Sequence, residues 1–109
     1  MASKPPFYLK INAQYPQVIA AVESLGEALS HAGPLDPKTV QLVQLAAAAA
    51  VHSEGAVHSH VRRALAGGAS EEEVRHALLS LTSTIGFPNV TAALSWAEAV
   101  LDQAHTPKV

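Results

Sequence analysis

At 109 residues, with 49% hydrophobic and 15% charged side chains, the chain has apolar material for one compact core, is too short for two, and is too apolar to be disordered. The formal net charge of -2 and the scattering of basic residues, Arg62 and Arg63 apart, exclude a cationic stripe, so no nucleic-acid partner is expected. Cysteine is absent, which removes disulfides, thiolate metal sites and thiol nucleophiles together.

The longest apolar run, Leu45 to Val51, falls far short of the roughly 20 residues that cross a bilayer, so no membrane partner is expected either. Met1 to Pro6 carries one lysine and two prolines and no continuous apolar stretch follows it, so the expected location is the cytoplasm. Alanine supplies 21 residues and aromatics only 5%, so helices can approach closely while each buries little area. Such a thin core favours burial between subunits, and a homo-oligomer is expected.

Taken in chain order, residues 1–14 read as an extended arm carrying Phe7, Tyr8 and Leu9. A first helix is predicted from about Pro16 to His31, with Val18, Val22, Leu25 and Leu29 along one face and Gly33 and Pro34 stopping it. Asp36 then offers an N-cap, Pro37 suits the first helical position and Leu35 can staple onto Val40, starting a second helix that reaches about His52. Its Ala46 to Ala50 run reads as a close helix crossing. A third helix runs from about Ser53 to Gly67 and Gly68, with Arg62 and Arg63 in the half where the dipole favours cations. Ser70 and Glu73 form a capping box for a fourth, with Val74, Leu78 and Leu81 as its apolar row and Gly86 as its end. Pro88 and Asn89 open a fifth, in which Leu94, Ala97, Val100 and Leu101 face inward and Trp96 sits at an interface. The tail from His105 to Val109 reads as frayed. No stretch alternates with the two-residue period of a strand, so the expected class is all-α, about five to six helices in one domain over residues 1–109.

The stretch SEGAVHSHVRRAL, residues 53–65, followed by AGGASEEEVRHALLSLTSTIGFPNVTAALSWAEAVL, resembles the signature half of the carboxymuconolactone decarboxylase and alkylhydroperoxidase-like family. The resemblance covers about half the chain and implies that family's helical fold and a trimer or hexamer. In the family's thiol-peroxidase branch this region reads Cys, two residues, Cys, three residues, His, with a relay glutamate about three turns upstream. Here those positions hold Ser53, Ala56, His60 and, twelve residues before Ser53, Gln41. A serine hydroxyl is neither a soft nucleophile nor ionised near neutral pH, so peroxide reduction by this chain is not expected. The decarboxylase branch lacks the cysteine pair and keeps a histidine on this helix. It converts a carboxylated muconolactone to an enol lactone, chemistry that needs an anion site and a proton donor or acceptor.

At about 100° per residue, Ser53, Ala56, Val57 and His60 share one face of the third helix, with Arg63 at its margin and His58 and Arg62 pointing elsewhere. An imidazole beside a hydroxyl and a guanidinium makes an acid–base and anion site, which Gln41 can complete as a neutral donor from the neighbouring helix. His60, Ser53 and Gln41 are thus the catalytic candidates, and Arg63, Ala56 and Val57 the substrate-binding ones. The alternative is a buried His60 satisfied by Gln41 or by a backbone carbonyl. No metal or other cofactor is expected: His58 and His60 diverge by about 200° and no carboxylate is spaced to join His52 with either. Ser53 has no glycine-flanked elbow around it and reads as a helix cap. Glu54 and Glu71 to Glu73 read as helix starts favoured by the macrodipole. Two functions follow: a cofactor-free enzyme acting on a small anionic, carboxylated or lactone-like metabolite, or a catalytically silent binding or assembly subunit on the same fold.

Overall fold

The computed structural model describes residues 6–105, and all regular structure among them is helical. Six longer helices, α1 (Pro6–Gln14), α2 (Pro16–Ser30), α3 (Pro37–Ala50), α4 (Glu54–Ala66), α5 (Glu71–Leu79) and α7 (Phe87–His105), make up the described part, with a one-turn helix, α6 (Thr82–Ile85), between α5 and α7. Local chemistry sets most boundaries. Asp36 accepts a hydrogen bond from the Thr39 amide at 2.7 Å, which holds its carboxyl below the usual range. The Ser70 and Glu73 side chains each accept from the other's backbone N–H, at 3.0 and 2.8 Å, as the capping box requires.

Two helices end in the same six-residue motif. At the end of α4 the Gly68 and Ala69 amides donate to Leu65 and Ala64 carbonyls, with Gly68 at φ +101°. At the end of α3 the His52 and Ser53 amides donate to Ala49 and Ala48, and here the left-handed position is taken by His52 at φ +58°. A histidine there is strained in a way glycine is not. Its ring stands edge-on to Trp96 of α7, with centroids 6.4 Å apart.

Three expectations need correction. The N-terminal arm is a helix from Pro6, not an extended segment, and residues 1–5 lie outside the described part. Pro6 suits a first helical position, and the chain breaks at Tyr15 because Pro16 forbids continuation. The fourth helix does not run unbroken to Gly86. Ser80 Oγ donates to the Ala77 carbonyl and Thr82 Oγ1 to the Leu79 carbonyl, both at 2.7 Å, so hydroxyls compete for backbone acceptors and the helix divides into α5 and α6. His105 belongs to α7 and reaches Glu71 of α5 at 2.5 Å, while the rest of the expected frayed tail, residues 106–109, lies outside the described part.

The core forms where α3, α4, α5 and α7 meet, around Leu45, Val57, Val61, Val74, Leu78 and Leu101. Ala48 and Ala49 are buried there, so the alanine run does let α3 and α4 approach closely. Leu94, Leu81 and Trp96 pack against this core half-buried. Arg75 fastens α5 to α7 through a fork onto Glu98, with Nε 2.6 Å from one carboxylate oxygen and Nη2 3.2 Å from the other. α1 and α2 contribute only Ser30 to the buried set. No helix among the described residues is long and apolar enough to cross a membrane.

Candidate functional site

α3 and α4 run side by side, and their contact brings Gln41 to His60. Gln41, 7% exposed, presents its amide oxygen to His60 Nδ1 at 2.9 Å. With the carbonyl side of the amide facing it, Nδ1 carries the ring proton and donates. Nε2 is then the nitrogen with the free lone pair. The ring is half-buried, and its pKa is pushed below the ordinary histidine value, first by burial and then by the positive charge of Arg63. Both effects favour the neutral imidazole, whose Nδ1 is tied to α3 by the Gln41 bond.

The remaining candidates fall into place unequally. Ser53 is the N-cap of α4, its Oγ accepting from the Ala56 amide at 3.3 Å. Seven positions separate it from His60, which is about 10 Å along a helix axis, so the shared face does not make a serine–histidine pair. Ala56 lies one turn before His60 and is half-buried. Val57 is fully buried in the core, behind the site rather than lining it. Arg63 is exposed and lies over α2, its Nη1 3.7 Å from where a β-carbon on Gly26 would stand.

Two further polar side chains of α4, Arg62 and His58, are half-buried. Arg62 is a half-buried cation with no ion-pair partner among the described residues, and burial and then Arg63 act against its charge. His58 stands one turn before Arg62 on the same flank of α4, away from the flank that carries His60, its Nε2 buried without a hydrogen bond and 3.8 Å from Glu54. Only the buried face of α4, unknown before folding, separates these flanks. No group of three or more potential ligands that could hold a metal ion occurs among the described residues.

Fold and site together define a class: an all-helical protein with a histidine–amide pair at a helix crossing, a guanidinium beside it, and no thiol in the chain. The sequence matches the model of the carboxymuconolactone decarboxylase family over residues 16–99, and the chain belongs to that family. Its structure is similar to that of a carboxymuconolactone decarboxylase family protein from Legionella pneumophila, solved in its apo form. The TM-score is 0.72 at 26% sequence identity, over 87% of this chain and 85% of that one. No functionally curated protein matches the sequence.

Proposed function

We propose that this cysteine-free family member binds a small carboxylated or lactone-like metabolite and moves a proton on it with His60, without a cofactor. The observation that carries this reading is the His60 Nδ1 to Gln41 Oε1 hydrogen bond of 2.9 Å. It fixes the tautomer and aims Nε2 away from α3, and the lowered pKa keeps that nitrogen unprotonated. In this role the bond to the departing carboxylate breaks, its electron pair stays on the substrate carbon as carbon dioxide leaves, and His60 delivers to that carbon a proton that Nε2 has taken up from solvent. Arg63 pairs with a substrate carboxylate. Gln41 is a positioning residue, and Ser53 supports the reaction only through the cap that orders the start of α4. Thiol-based peroxide reduction is excluded by chemistry, because no residue of this chain can form the thiolate.

The second reading, a silent binding or assembly subunit, is favoured by Ser53 being engaged as a cap and by the Gln41 bond satisfying Nδ1 as any structural histidine would be. Ligand-dependent stabilisation separates the two. Under the enzyme reading, some member of a carboxylate and lactone library raises the melting temperature by mass action, and Arg63→Ala weakens that rise. His60→Ala then spares binding and lowers turnover by about 10² to 10⁴. A library in which nothing stabilises the protein, with His60→Ala merely less stable, would establish the silent subunit instead.

A further inference from the structure

His58 and Arg62 stand four residues apart on α4, about 40° around its axis and one turn along it, so their side chains are neighbours on one flank. His58 and His60 point about 200° apart. The two main neighbours of α4 are α3 and α7, and with α3 on the His60 side the flank of His58 and Arg62 turns toward α7. His58 Nε2 is buried there with no hydrogen-bond partner. Arg62 is half-buried, burial and then Arg63 act against its charge, and it has no ion-pair partner among the described residues. Buried polar atoms in folded proteins are nearly always satisfied, so this pair presents donors that the chain itself does not use.

The nearest carboxylate does not satisfy them. Glu54 Oε2 stands 3.8 Å from His58 Nε2, beyond hydrogen-bond length, and Glu54 is exposed in the first turn of α4, where the helix dipole already favours it. The acids of α7 are committed as well: Glu98 accepts from Arg75, and Asp102 is engaged. Glu54 does fix the character of the ring, because its charge favours the tautomer with the proton on Nε2 and so makes that atom a donor. It also limits the charge that the flank accepts. The charges of Arg62 and Glu54 nearly cancel, so adding negative charge to a ligand gains little attraction while the cost of taking it out of water rises steeply. A singly charged oxyanion is the best fit. A carboxylate offers two coplanar oxygens to the guanidinium fork and a further lone pair to Nε2–H.

We propose that His58 and Arg62 form a second small-molecule site, on the flank of α4 away from His60, that binds a small monocarboxylate: Arg62 holds it through the guanidinium fork and His58 Nε2–H donates to one of its oxygens. The site binds and does no chemistry, since neither side chain reaches the Gln41–His60 pair. It does not depend on His60 being catalytic and would be present in a silent subunit too. A carboxylate seated there satisfies the buried ring nitrogen and the half-buried cation together, and stabilises the fold by mass action.

Sodium acetate is the probe, titrated at neutral pH into isotopically labelled protein with sodium chloride holding the ionic strength constant, and the histidine-ring and arginine Nε–H resonances are the readout. The His58 and Arg62 signals are expected to move together and to saturate with one midpoint. Arg62→Gln is expected to raise that midpoint about tenfold or more, and Glu54→Gln to lower it by about two- to fivefold. Arg63→Ala, which alters the His60 flank, is expected to leave the His58 response saturable at nearly the same acetate concentration. Inorganic phosphate is expected to need a higher concentration than acetate. A His58 shift that never saturates, or that chloride alone reproduces, overturns the site. So does a response that survives Arg62→Gln unchanged or disappears with Arg63→Ala. A response lost in Glu54→Gln would make Glu54 the partner of His58 and likewise overturn the proposal, and phosphate binding more tightly than acetate would overturn the carboxylate assignment.

Discussion

The hydrogen bond between Gln41 and His60 is the joint on which the site turns, and Gln41→Leu isolates it. Leucine has nearly the volume of glutamine and suits a position 7% exposed, so the change removes the acceptor without opening a cavity. What remains is an imidazole N–H deprived of its 2.9 Å partner. A buried donor left unpaired costs about 1–3 kcal/mol. His60 is only half-buried and water can reach part of the ring, so a loss near the lower limit, about 1 kcal/mol, is expected. In a domain of this size that lowers Tm by about 4 °C or more. Urea unfolding of the wild type, Gln41→Leu, His60→Ala and the double variant, all at one protein concentration, closes a thermodynamic cycle. The coupling energy should be about 0.5–1.5 kcal/mol, the net worth of one such bond. A coupling indistinguishable from zero, within the roughly 0.3 kcal/mol by which independent sites fail to add, would refute the claim that this contact orients the histidine.

The pH dependence follows from the direction of the His60 shift. Its folded pKa lies below the ordinary value near 6.5, so the neutral ring contributes stability that is present above about pH 6.5 and is lost as pH falls through the folded pKa. A proton-NMR titration should show the His60 ring changing below pH 6.5, and Gln41→Glu should move that titration upward by placing a negative charge on the same hydrogen bond. A wild-type midpoint above 6.5 would contradict the geometry. Ser53→Ala should cost about 1 kcal/mol in unfolding free energy through loss of the cap, and should leave the His60 titration unmoved because the two residues stand two turns apart. A shifted His60 midpoint in that variant would mean that Ser53 does reach the ring.

Much of this fold is legible because its helices are punctuated by chemistry that acts within four residues. Asp36 with Pro37, Ser53, and Ser70 with Glu73 cap helices where a reading of the chain alone places them. The errors arise where local signals are weaker or compete. Phe7, Tyr8 and Ile11 are neutral between helix and extended chain, so α1 was hidden behind its own aromatics. The Ser80 and Thr82 hydroxyls break a helix that its apolar row alone would continue. The site divides along the same line. That Gln41 meets His60 follows from adjacent antiparallel helices and the family spacing. That Val57 is withdrawn into the core, and that Arg63 lies over α2, depends on tertiary packing with no local marker. Periodicity could show that Val18, Val22, Leu25 and Leu29 share a face, but not that the chain's own core leaves that face uncovered.

Placing thiols in this frame tests how much of the family's other chemistry the fold still supports. Ser53 occupies the N-cap of α4, where unpaired backbone N–H groups and the positive end of the helix dipole converge, and Ala56 follows it by three residues. Ser53→Cys alone puts a sulfur at the position where the serine oxygen now accepts the Ala56 amide. A thiolate there gains that hydrogen bond and the dipole field, so its pKa should fall from about 8.5 into the range of about 3.5–7.5 found for helix N-termini. The pH dependence of iodoacetamide alkylation measures it directly, and an inflection at the ordinary thiol value would show that the helix start no longer activates a nucleophile. With Ala56→Cys added, oxidation should close a disulfide between positions 53 and 56. Peroxide turnover by this double variant should nevertheless stay slow, because Gln41 cannot take up a proton where the thiol branch places a glutamate. Adding Gln41→Glu should then raise the rate. An equal rate with glutamine or glutamate at 41 would mean that the proton relay does not run through α3, and would leave the Gln41 contact with His60 as a matter of stability alone.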